Sequence, residues 1–78
     1  MSEKLETVRV KIHMTDRAFS PDENQAVAWQ MRRNWGTSLF VMLDKGDLVI
    51  GEVYREHIED VRQAVKGVVK QEVTLEIV

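Results

Sequence analysis

A chain of 78 residues with no cysteine, 31% charged residues and a net charge of −2 is restricted in what it can be before any motif is read. It has room for one domain that buries about 60–65% of the surface its unfolded form exposes, and neither a disulfide nor a cysteine zinc site can brace it. The 44% hydrophobic content argues against disorder, and the slightly acidic balance argues against a protein whose main work is gripping a nucleic-acid backbone.

No apolar run approaches the roughly 18 residues of a membrane span, so no membrane partner is expected. The opening Met1-Ser2-Glu3-Lys4-Leu5-Glu6 is acidic and has no apolar stretch after it, unlike a signal peptide. Residues 1–6 are expected to be disordered and the protein cytoplasmic. His13 and His57 are not spaced as a ligand pair, so neither a metal nor another cofactor is expected. Self-association is the remaining route to extra stability for so small a core.

Val8, Val10, Ile12 and Met14 alternate with Arg9, Lys11 and His13, and period 2 with β-branched residues predicts a half-buried first strand over residues 7–14. After a polar connection, Ser20-Pro21-Asp22-Glu23 carries agreeing helix-start signals. Ser20 suits the N-cap, Pro21 the first turn, and Glu23 completes a capping box. Val27, Ala28, Met31 and Trp35 then share one face, and Gly36 suits the stop, which predicts a helix over 21–35.

Thr37 to Asp44 contains Leu39-Phe40-Val41-Met42-Leu43, and Asp44-Lys45-Gly46-Asp47 is a turn signal before the strand 48–54, so the pair is expected to form a hairpin. A two-residue turn would set Leu43 against Leu48 and Val41 against Ile50. One bulged residue would instead bring Phe40 and Met42 opposite Ile50 and Leu48. Ile58, Val61, Val65 and Val68 form the stripe of a second helix over 56–69. Glu72 to Ile77 alternates again and predicts the last strand.

The order β-α-β-β-α-β implies an α+β domain of the ferredoxin-like kind, a single antiparallel sheet in the order 4-1-3-2 with two helices on one face. That fold hosts many activities, and the residues that would mark particular branches can be checked. Met14-Thr15-Asp16-Arg17 stands where a metal carrier has Cys-x-x-Cys. Arg17 is present, but the loop has no glycine for an acylphosphatase-like anion cradle. An RNA-recognition sheet needs aromatics on its open face, where the first strand offers Arg9, Lys11 and His13. The chain resembles ACT-like amino-acid sensors in length and element order, yet it lacks their loop glycine.

Two features depart from what a bare scaffold needs. The second strand falls at a sheet edge, and no charge guards it from Thr37 to Leu43, although natural edges usually carry one. Trp29 sits off the apolar stripe of its helix among Gln25, Arg32 and Arg33, a composition common at interfaces. Trp29, Arg33, Phe40, Val41 and Met42 are therefore the expected partner-binding residues. The alternative is structural, with the strand central in a different topology or shielded by the 15–19 loop, and with Trp29 stacked on Arg33. No nucleophile–base pair is evident, and no catalytic residue is expected. His57 beside Glu56 reads as a surface histidine. The expected function is a small non-catalytic protein-binding module, a regulator or inhibitor, or else a homodimer. An ACT-like small-molecule sensor is the alternative, and nucleic-acid binding through Arg9, Lys11, Arg17, Arg32 and Arg33 a weaker one.

Overall fold

The computed structural model describes residues 6–35 and 39–78. Elements follow one another as β1 (Thr7–His13), α1 (Pro21–Trp35), β2 (Phe40–Asp44), β3 (Asp47–Tyr54), a 3-10 turn (Arg55–His57), α2 (Ile58–Val69) and β4 (Thr74–Ile77). The four strands form one antiparallel sheet in the order β2-β3-β1-β4. This is the expected ferredoxin-like order, and it leaves β2 and β4 at the edges. The expected stop at Gly36 and the start of β2 at Thr37 lie outside the described residues, as do residues 1–5.

Val27 and Met31 of α1 and Val61, Val65 and Val69 of α2 are buried in one cluster with Val10, Ile12, Leu48, Ile50 and Val53 of the sheet. Both helices therefore cover the same sheet face. On α2 the fully buried positions recur every four residues, and Ile58 and Val68 flank them half-buried. The first turn predicted for that helix is instead the 3-10 turn. The helix ends at Lys70, whose φ of 61° reverses the chain while its N–H donates to the Lys66 carbonyl at 2.7 Å.

The capping box at α1 is formed in both directions. The Glu23 N–H donates to Ser20 Oγ at 3.2 Å, and the Ser20 N–H donates to Glu23 Oε1 at 2.9 Å. Arg17 grips the same carboxylate through two bonds of 2.9 and 2.6 Å.

Lys45 and Gly46 have φ of 54° and 90°, the two left-handed positions of a type I′ turn. The hairpin therefore takes the two-residue register, with Leu43 opposite Leu48 and Val41 opposite Ile50. The 15–19 loop packs on this turn. The Phe19 N–H donates to the Gly46 carbonyl at 2.8 Å, and a Cβ on Gly46 would lie 2.8 Å from that of Ala18.

β3 carries a bulge. Val8 pairs with Val53 but Val10 with Ile50, so Arg9 faces two residues, Gly51 and Glu52. Glu52 takes a φ of 62°, the left-handed conformation typical of such a bulge. At the other edge β4 begins at Thr74. Glu72, expected on that strand, precedes it and pairs with Lys66 of α2 at 2.6 Å.

Candidate functional site

The sheet face away from the helices is built by strand alternation. Phe40, Met42 and Asp44 on β2 lie beside Gly51, Val49 and Asp47 on β3, followed by Arg9, Lys11 and His13 on β1. Lys11 faces Glu76 on β4, and His13 faces Thr74. Arg9, Lys11, Met42, Asp44, Val49 and Val78 line a shallow trough of about 400 Å³ on this face.

At its upper end three residues interlock. The Phe40 ring lies directly over Gly51, so closely that a Cβ there would fall 2.0 Å from Cε2 and Cζ. The Arg9 guanidinium sits 5.4 Å from the centre of the same ring, within cation–π range. A strand glycine covered by a cross-strand aromatic regains the packing its missing side chain forfeits. Among the described residues Arg9 has no carboxylate partner and Asp44 has no cation, while Lys11 lies 3.9 Å from Asp47.

The backbone of β2 completes the surface. In a two-residue hairpin the pair flanking the turn exchanges both hydrogen bonds, and every second pair repeats the pattern. Asp44, Met42 and Phe40 are thus bonded towards β3. Val41 and Leu43 turn their N–H and C=O groups out from the sheet edge. No charged side chain stands between Phe40 and Leu43 to deter another strand.

The five residues expected to bind a partner do not form one patch. Phe40 and Met42 lie on the open face, Phe40 half-buried and Met42 50% exposed. Val41 points the other way and packs half-buried against the core. Trp29 is 65% exposed on α1, beside Gln25, Ala28 and Arg32, and Arg33 is exposed on the same helix. The sheet stands between these two and the Phe40–Met42 surface. No guanidinium covers the Trp29 ring among the described residues.

The cations divide in the same way. Arg9 and Lys11 belong to the open face, Arg32 and Arg33 to α1, and Arg17 is committed to Glu23. Its two hydrogen bonds are the main reason that carboxyl is held at a pKa of about 2, and the two capping contacts with Ser20 add to the effect. Near the start of α2, Glu59 is likewise held at about 2, chiefly by hydrogen bonds from Arg62 and then Gln63.

A second recess was not evident in the sequence. Trp35 at the end of α1, Leu39, Val53, Tyr54, His57 and Val61 line a cleft of about 60 Å³. The His57 ring stands 6.1 Å from that of Trp35, tilted by 37°, and 5.9 Å edge-on from that of Tyr54. His57 is thus half-buried in an aromatic corner. The spacing Tyr54-x-x-His57 at the exit of a strand was its one sequence signal.

No protein-family model matches the chain, and no curated protein or solved structure matches it either.

Proposed function

We propose that the protein is a small non-catalytic binding module, a regulator or inhibitor of protein assemblies, which takes a protein partner along the β2 edge and the open sheet face beside it. The observation that carries this reading is the edge itself. β2 is the outermost strand, the backbone groups of Val41 and Leu43 face outward, and Met42 and Leu43 are 50% and 36% exposed. A strand with that profile is a template for β-augmentation, in which main-chain bonds supply affinity and alternate side chains supply selectivity.

Two other readings fit less well. A small-molecule sensor needs a pocket of roughly 300–1,000 Å³ that encloses its ligand. The aromatic cleft has about 60 Å³, and the open-face trough is a broad, shallow surface. A nucleic-acid-binding surface needs its cations on one face, whereas these are shared between two, with Arg17 engaged.

The cleanest probe is Met42→Lys. Phe40 and Val41 also serve the fold, one covering Gly51 and the other packing on the core, so changes there mix binding with stability. Met42→Lys should leave the thermal midpoint within a few degrees, since an exposed strand position typically shifts stability by about 0.5 kcal/mol or less. It should abolish association, read by sedimentation for self-association and by pull-down for another partner. Association unchanged in Met42→Lys would overturn the reading, as would a wild-type protein that binds neither itself nor any other chain.

A further inference from the structure

The reading of β2 as a docking edge leaves its occupant open, and the arrangement of charge on the open face selects one. We infer that the occupant is a second copy of this chain, its β2 laid antiparallel against the first so that Met42 faces Met42 across a twofold axis. The inference rests on the docking-edge reading above.

Three observations converge on it. The first is the pattern of outward groups. With Met42 on the axis, Val41 of each copy lies opposite Leu43 of the other. These are the residues whose N–H and C=O groups are turned outward, so both pairs can exchange hydrogen bonds while Met42 forms the closer, non-bonded pair. Because residues directly opposite share a face, Phe40, Met42 and Asp44 of both copies lie on one continuous open surface. The two helical layers lie together on the other side.

The second is unspent charge. Asp44 stands opposite Asp47 within its own hairpin, and like charges directly across a ladder repel. Lys11 lies 3.9 Å from Asp47, which leaves Asp44 without a cation among the described residues. Arg9, on the same face, has the Phe40 ring but no carboxylate among the described residues. With Met42 on the axis, Asp44 of one copy falls opposite Phe40 of the other, and the incoming carboxylate and the Arg9 guanidinium then flank one ring. This happens twice, once on each side of the axis. Each copy brings the charge that the other lacks.

The third is register. Moving the axis to Val41 or Leu43 also satisfies the hydrogen bonds. With Leu43 on the axis, Asp44 lies beside the Met42 side chain of the other copy and gains no cation. With Val41 on the axis, Asp44 falls beyond the end of the other copy's Phe40–Asp44 strand, and Phe40 lies against Met42 instead of beside a carboxylate. Only the Met42-centred pairing overlaps all five residues of Phe40–Asp44. The contact is short, so the dimer should be weak and dependent on concentration.

The chain contains no cysteine, so a single introduced one reads the register. Met42→Cys should convert to a disulfide-linked dimer under mild oxidation, because it alone meets itself at the axis, within the Cα spacing a disulfide accepts. Val41→Cys and Leu43→Cys should cross-link far more slowly, since each faces the other position. In sedimentation equilibrium on the cysteine-free protein, Arg9→Glu should raise the dimer dissociation constant about tenfold or more. The exchanged pair Arg9→Glu with Asp44→Arg should recover most of that loss, which a merely structural role for Arg9 would not produce. Three results would overturn the inference: a protein monomeric at millimolar concentration, preferential cross-linking at position 41 or 43, or no recovery in the exchanged pair. If the chain stays monomeric but Met42→Lys still abolishes capture of another protein, the docking edge stands and the second copy is excluded.

Discussion

Phe40 has two roles that pull on the same atoms. Its ring fills the space over Gly51 and offers its face to Arg9, so it holds the end of β2 against β3 and also shapes the open surface. Gly51 has no unusual backbone angle. Alanine is therefore excluded there by the ring and not by the chain. Gly51→Ala should destabilise the domain by about 1–3 kcal/mol, the usual cost of forcing extra volume into a filled site. In a Phe40→Ala background the same change should cost close to nothing. A thermodynamic cycle in urea reads the coupling directly, and additive costs would show that the ring does not set the limit.

Among the elements, the start of α1 is the most heavily braced. Ser20 and Glu23 cap each other and Arg17 adds two bonds to the same carboxylate, tying the loop after β1 to the helix. The Glu23 carboxyl ordinarily titrates near 4.5 and is held at about 2 in the fold. Its folded value is depressed, so its contribution is fully present above about 4.5 and fades as pH falls towards 2. Glu59 is shifted over the same interval, but it is exposed and its pairing with Arg62 is screened by solvent. Denaturant unfolding followed from pH 6 to pH 2 should show a loss of stability that is smaller in Glu23→Gln. An equal loss in the variant would place the sensitivity elsewhere. Ser20 and Glu23 were legible from their spacing because a capping box is a local device. The grip of Arg17 was not, since it depends on how the loop folds back.

At the scale of the molecule, the sheet order and the edge position of β2 were readable from two periodicities and one turn signal. Alternation in β1 and helical spacing in α1 and α2 are imposed by a single buried face, so the pattern survives in the sequence. The pairing of Phe40 with Gly51 was one of two open registers, and only the Lys45–Gly46 turn geometry decided it. The aromatic corner of Trp35, Tyr54 and His57 joins the end of a helix to the exit of a strand, and only its Tyr54–His57 half leaves a trace in local spacing. No local pattern records that Trp29 and Phe40 stand on opposite sides of the sheet. The bulge in β3 was hidden for a different reason. Ile50-Gly51-Glu52-Val53 breaks strict alternation, yet Ile50 and Val53 are both buried, because Glu52 takes up one residue with a φ of 62°. The strand thus holds a spare position inside its length. Excising Glu52 would join Gly51 to Val53 and leave Ile50 and Val53 inward, Gly51 under its aromatic lid and Tyr54 outward. A single-residue deletion in the middle of a sheet normally inverts everything beyond it. Here it would straighten the ladder, so this interior site can shorten without turning the domain inside out.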